Sequence, residues 1–283
     1  MPLQILTPPT AEPLHLADAL LHIKQDAGID DAHVSATITA ARRFAENQTW
    51  RQLVSARYKQ VLDSFPGIGV FGVPWGRAYG IPRNAILLER GPVLTVESIQ
   101  YLDMTGTLQT VDPTIYTADL TGDPARITPK FGQIWPIPLP EIGAVTVTFT
   151  AGFASPISVN LAANTITPSL WKIQAIGDAV RFTNSGGALP TPLQPMTDYF
   201  VVAIPSPGVY QFSATAGGAA ITLADIGSGL SFIGEVPSDI LAWIKLRIGS
   251  LDQFREEAIA MNRGKIEDLP FVDTLLDSYA PWW

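Results

Sequence analysis

The side chains whose type and spacing could do chemistry here are three histidines, His15, His22 and His33, one glycine run and a few acidic pairs. Asp18 and His22 stand four apart, which puts a carboxylate and an imidazole on one helix face as two metal ligands. A third ligand at suitable spacing is missing, so no metal site is expected. Gly67-Ile68-Gly69-Val70-Phe71-Gly72 fits G-x-G-x-x-G. A dinucleotide site needs those glycines to lead into a helix whose N-terminus meets the pyrophosphate. Pro74, Gly76, Gly80 and Pro82 forbid that helix, and the run reads as an exposed loop. Ser228 lacks the flanks of a G-x-S-x-G elbow, although a Ser-His-Asp set drawn from distant parts of the chain stays open. Glu256-Glu257 and Glu267-Asp268 fall on polar helix faces or turns, where solvated charge is the ordinary explanation. The expectation is a protein without catalytic site, metal or cofactor.

The bulk numbers bound the class. A chain of 283 residues with 47% hydrophobic and 16% charged side chains is globular, with length for about two domains. A formal charge of −8 argues against general nucleic-acid binding and against adsorption to anionic membranes. The absence of cysteine excludes disulfides and thiolate metal sites and fits a reducing compartment. MPLQILTPPTAEP lacks the basic and apolar regions of a signal peptide, and no apolar run approaches the ~20 residues of a membrane span. Synthesis in a cytoplasm, with no membrane anchor, is expected.

The elements organise around Asp30 to Trp50. Val34, Ile38, Ala41 and Ala45 recur at helical spacing, with Thr37 and Phe44 widening the stripe. Asp30 or Asp31 suits the N-terminus of this helix, and Arg42, Arg43 and Glu46 fall mostly off the stripe. A shorter helix is expected over Glu12 to Ile23, burying Leu14, Ala17, Leu21 and Leu20. Strands follow from Arg51 to Phe65, in a hairpin turning at Thr105-Gly106, around the turn Thr121 to Pro124, and over Ala144 to Thr150, where Val145, Val147 and Phe149 share a face.

At Gly152 the texture changes. Between Pro156 and Gly234 the only charged residues are Lys172, Asp178, Arg181, Asp198 and Asp225. Strand-like runs at 179–183, 199–204, 208–215 and 219–224 between turn signals indicate a small all-β module. Helical spacing returns at Ile240, Ile244, Ile248 and Leu251, after Pro237. Three segments result: 1–155, a β-rich insert 156–234, and 235–283, with net charges of −3, −1 and −4. At the end, Phe271, Leu275 and Tyr279, with Leu276 alongside, lead to Trp282 and Trp283. Exposed tryptophans make an apolar patch that must fold back or dock on a partner.

These segments together resemble the head–tail connector (adaptor) proteins of tailed bacteriophages. The resemblance is carried by QILTPPTAEPLHLADALLHI, DDAHVSATITAARRFAENQTW, GPVLTVESIQYLDMTGTLQTVDPTIYTADL, DPARITPKFGQIWP, AVTVTFTAGF, VPSDILAWIKLRIGSL and LPFVDTLLDSYAP. It covers 1–155 and 235–283, through the order of several weak motifs. The insert resembles a β-rich module that recurs in phage structural proteins. The fold so implied is α+β: a helical connector core with a small antiparallel β part, interrupted by an all-β, sandwich- or barrel-like domain.

The resemblance implies a non-enzymatic virion protein of the neck. About twelve copies would form a ring beneath the portal protein and extend the DNA channel to a tail-side neck or tail protein, without sequence-specific DNA binding. Ring packing would then fall to the helices carrying Val34, Ile38, Ala41, Phe44, Ala45, Ile240, Ile244 and Ile248. Portal docking would fall to Phe271, Leu275, Leu276, Tyr279, Trp282 and Trp283. An acidic lumen, which repels phosphates and lets a genome slide, would use Glu256, Glu257, Asp273 and Asp277. The alternative is a tail or adsorption protein whose insert binds host glycans on Trp171, Tyr199 and Tyr210.

Overall fold

The structure, a computed structural model, describes residues 3–67, 84–171, 175–253 and 270–280, with backbone alone over 270–273. Contacts divide the chain into two compact units, one built on Ser55–Gly152 and the N-terminal strand, the other on Thr10–Val54 and Phe153–Ala280.

The first unit holds β1 (Leu3–Thr7), β2 (Ala56–Leu62), β3 (Ile86–Leu87), β4 (Val93–Leu102), β5 (Leu108–Thr110), β6 (Tyr116–Asp119), β7 (Arg126–Pro129) and β8 (Val145–Ala151). Five strands form an antiparallel sheet in the order β1-β2-β8-β4-β5, and β3-β7-β6 form a second sheet. Period-2 alternation makes this sheet: β2 buries every other residue, and Val145, Val147 and Phe149 are all fully buried. Across the strands Tyr58 stacks on Phe149 at 5.7 Å. Trp135 closes the core, lying parallel to Phe65 at 5.0 Å while its indole N–H donates to the Asn84 carbonyl at 2.7 Å. Gln60 is fully buried because both ends of its amide are used. Its Nε2 donates to the Leu87 carbonyl and its Oε1 accepts from the Glu89 N–H.

The second unit contains α1 (Leu16–Ile23), α2 (Asp31–Thr49), β9 (Ala154–Asn160), β10 (Thr165–Pro168), β11 (Ala179–Val180), β12 (Phe182–Ser185), β13 (Tyr199–Ser206), β14 (Val209–Ser213), β15 (Leu230–Gly234), α3 (Ser238–Gln253) and α4 (Pro270–Asp277). Helix α2 lays Val34, Ile38, Ala41 and Ala45 against Ile240, Trp243, Ile244 and Ile248 of α3, in one core with Leu276 and Phe232. The seven strands run β11-β13-β14-β10-β9-β15-β12. Its two edge strands are separated in sequence by Arg181 alone, so the sheet curls into a nearly closed barrel. Ile166, Phe182, Tyr199, Val201, Tyr210, Phe212 and Ile233 fill the interior.

The expected α+β class needs correcting in its balance. The described residues form mixed α/β architecture dominated by sheets, with four helices, and a helix-dominated connector core is not evident. Three local expectations also change. Helix α1 begins at Leu16, after His15 caps it, and buries Ala19 and Leu20, while the expected Ala17 and Leu21 are exposed, Leu21 by 79%. Asp30 sits at the N-cap of α2 without a side-chain capping bond, and Asp31 instead accepts the Gly28 N–H at 2.9 Å. The run 219–224 forms no strand, although the Ile221 N–H does bond to the Phe212 carbonyl.

The largest departure lies on α2, where Arg42 and Glu46, off the apolar stripe in sequence, are 7% and 5% exposed. Arg42 Nη1 donates to Glu46 Oε2 at 2.8 Å, and its Nε donates to Glu12 Oε2 at 2.6 Å. Glu46 Oε1 accepts from Gln52 Nε2 and from the Leu53 N–H. Burial disfavours the guanidinium charge, but the Glu12 hydrogen bond and the charges of Glu46 and Glu12 outweigh it, and the Arg42 pKa is raised. Removing one member leaves the others buried and unmatched. Glu46→Ala is therefore expected to cost about 3 kcal/mol in denaturant unfolding, and a loss below ~1 kcal/mol would show that the pair contributes no more than a surface ion pair.

Candidate functional site

Among the described residues no group of three or more histidine or carboxylate side chains gathers to hold a metal. Asp18 and His22 part company. Asp18 accepts from the Ser185 hydroxyl and the Gly186 N–H, whereas His22 is exposed. His15 Nδ1 caps α1 by accepting the Ala17 N–H, and its own N–H donates to Ser185 Oγ at 2.7 Å. A Cβ at Gly186 would lie inside the His15 ring, so the close approach of helix and barrel at this point requires glycine. Ser228 Oγ accepts the Ala188 N–H in a turn of the barrel, and that bond fixes the loop. Of the glycine run only Gly67 is described, and Glu267 and Asp268 lie outside the described residues.

The interaction residues expected from sequence divide three ways. Val34, Ile38, Ala41, Ala45, Ile240, Ile244 and Ile248 are all buried within the second unit, so their apolar area is spent inside the subunit. Phe44 differs. It is 48% exposed, stacked on Trp243 at 5.4 Å, with the Arg247 guanidinium 5.2 Å above its ring. In the C-terminal segment Leu276 is buried in the helical core, Leu275 packs beside it, and Tyr279 meets Phe153 edge-on at 6.4 Å. Asp277 is exposed. The side chains of Phe271 and Asp273, and Glu256, Glu257, Trp282 and Trp283 altogether, lie outside the described residues.

The three aromatics considered for glycan stacking do not form a platform. Tyr199 and Tyr210 are barrel core, with the Tyr199 hydroxyl accepting the Gln194 N–H, and Trp171 packs against Gly234. Exposed apolar residues of the first unit stand outside the residues expected to interact: Ile5 and Leu6 on β1, Met104 and Leu108 at the β4–β5 hairpin, and Phe131, Ile134, Ile137 and Ile142 between β7 and β8. The usable signal was the run 131–142, which has one charge among six large apolar side chains and sits where a connecting loop is expected to be polar.

Electrostatics in that region centre on the hairpin. Asp103 accepts from Thr105, Gln109 and the Thr107 N–H, and these bonds hold its carboxyl well below the usual range, with the Thr105 hydroxyl first. Asp119 is lowered by the Thr121 hydroxyl and by Arg126, whose guanidinium lies at 2.9 Å.

No protein-family model and no curated protein matches the chain. Solved structures do. A chain in the neck of an empty GTA particle, computed with C6 symmetry, is 17% identical, with a TM-score of 0.53 over 99% of this chain and 95% of that one. A chain in the virion of a native gene transfer agent (GTA) particle is likewise 17% identical, with a TM-score of 0.52 over the same shares. The chain shares their fold.

A carboxylate lowered on folding adds stability that is present above its ordinary pKa of ~3.9 and lost as pH falls through the lowered value. Asp103→Asn removes that contribution. The gap in unfolding midpoint between the two proteins is expected to be widest at neutral pH and to narrow as pH falls towards ~2. A constant gap across that range would mean that the Asp103 charge adds nothing.

Proposed function

We propose that the chain is a structural subunit of the neck of a phage-like particle. The observation that supports this most is the shared fold over 99% of its length with a chain of a GTA neck. The connector motifs in the sequence support the finer reading, an adaptor ring of about twelve copies beneath the portal protein. That ring would carry the DNA channel towards a tail-side neck or tail protein. The acidic balance of −8 suits a conduit for DNA, because a positive wall would hold the phosphates it must release. The role requires fitting, not turnover: the protein is not an enzyme and needs no cofactor.

Portal docking falls to the C-terminal segment in this reading. Leu276 is already committed to the subunit's own core, so the docking anchors are Phe271, Trp282 and Trp283, with Leu275 and Tyr279 at the margin. In the same reading the acidic lumen would use Glu256, Glu257, Asp273 and Asp277.

Phe271→Ala, Trp282→Ala and Trp283→Ala combined should leave the thermal midpoint close to that of the wild type while filled heads no longer acquire the protein. Heads that acquire the triple variant normally would remove the docking role. Neutralising Glu256, Glu257, Asp273 and Asp277 to their amides is expected to slow genome ejection in a fluorescent-dye release assay. Unchanged ejection would take these four residues off the channel wall.

A further inference from the structure

Among the described residues the five-stranded sheet of the first unit ends on β1 at one edge and on β5 at the other: β1 pairs only with β2, and β5 only with β4. Gln4, Ile5 and Leu6 are exposed on one edge, and Leu108, Gln109 and Thr110 on the other. An edge strand presents a row of unpaired backbone donors and acceptors, so the group that fits it is another extended strand. Edges meant to stay free usually carry charge or proline. Neither LQILT of β1 nor LQT of β5 has either.

Both edges belong to one sheet, and their directions match. Four successive antiparallel pairings, β1 to β2, β2 to β8, β8 to β4 and β4 to β5, leave β1 and β5 pointing the same way. A single rotation repeated from copy to copy can therefore lay β5 of one subunit beside β1 of the next as a parallel pair. That contact is heterologous, and on closing it makes a ring.

Charge favours this occupant. Each copy carries −8, so copies repel except where a contact is neutral or complementary. The β5 edge is bracketed by Asp103 and Asp112, whereas on the β1 side Lys59 stands directly across from Gln4. Three residues of β5 make a short ladder, and the apolar side chains beside it add area: Leu108 and Met104 on one edge, Ile5 and Leu6 on the other, all 44–63% exposed.

We propose that β1 and β5 are the two halves of a copy-to-copy joint, through which the sheet of one subunit continues into that of a second copy of this chain. The ring that this joint would close rests on the neck reading; the joint itself does not.

The absence of native cysteine gives a clean test. Leu6→Cys and Leu108→Cys, both exposed, are combined in one chain and oxidised, as purified protein at high concentration and in assembled particles. A ladder of covalent multimers on a denaturing gel is expected, with neither single variant cross-linking. Ile5→Lys and Leu108→Lys should each stop assembly beyond the monomer in sedimentation, while a mixture of the two should yield dimers and nothing larger, since each supplies the edge the other lacks. Absence of the ladder both in free protein and in particles that contain the protein by immunoblot overturns the joint. So does self-linking of Leu108→Cys alone, which would mean a two-fold contact. Particles whose necks lack the protein would instead defeat the neck reading, and the free-protein ladder would still decide the joint.

Discussion

A buried ion pair on α2 sets the terms for the second unit. Arg42 and Glu46 sit one turn apart on a helix whose other inward residues are Val, Ile, Ala and Thr, and almost none of their surface reaches water. Taking each charge out of water costs several kcal/mol, and their attraction repays this only when the remaining donors and acceptors are also matched. Here they are matched by residues from outside the helix. Glu12 takes the other side of the guanidinium, and Gln52 and the Leu53 N–H take the free carboxylate oxygen. The pair therefore ties three stretches of chain together: the lead-in to α1, α2 itself, and the extended segment beyond Trp50. That segment carries the constraint further, because its Leu53 carbonyl accepts the Phe153 and Ala154 N–H groups and Val54 bridges to Ala154 at the start of β9. One polar cluster thus fixes where the helices end and where the barrel begins.

A hydrophobic core would hold these parts more cheaply, but it would tolerate more than one arrangement. Leu, Ile and Val can slide past one another by a fraction of a turn, whereas a guanidinium flanked by two carboxylates cannot. The same division of labour appears at the barrel rim, where Asp18 accepts from Ser185 and Gly186 while His15 fills the space that a side chain at Gly186 would need. Apolar burial supplies most of the stability, and a few polar contacts select the register.

This division also explains what could be read in the sequence. The stripe of α2 and the spacing of Ile240, Ile244 and Ile248 were legible because helical period and apolar identity agree, and all seven stripe residues are buried. The alternation of Val145, Val147 and Phe149 was legible for the same reason. Arg42 and Glu46 were not, because a charged residue reads as solvent-facing until its partners are known, and Glu12 lies 30 residues away. Leu21 failed in the opposite sense. It has the right identity, but the packed face of α1 runs through Leu16, Ala19, Leu20 and Ile23, which leaves Leu21 outward. In the barrel, β9, β10 and β15 are rich in Ser, Thr, Asn and Gly and include two prolines, so their identity as strands comes from pairing partners far along the chain. The balance of sheet over helix was missed through such segments. Of the residues expected from sequence to pack copies together, the helix stripe stood out by composition, yet it is buried within the subunit.

What remains available on the surface follows from what the core has consumed. The helix faces with strong apolar stripes are occupied within the subunit, and Leu276 shows the same for α4. In the first unit the apolar groups left in water are of another kind: side chains of a sheet edge, of a hairpin tip, and of the run from Phe131 to Ile142, where Phe131, Ile134, Ile137 and Ile142 are all at least 66% exposed. Such residues contribute nothing to the stability of an isolated subunit and favour its association, so a chain that lived alone would gain solubility by losing them. In the first unit they lie on strands and loops, outside the packed core. A neighbour then finds backbone edges and loop side chains in place, and association need not reopen a packed core. In an assembly built from copies, the step that holds each subunit together is thereby kept apart from the step that joins subunits.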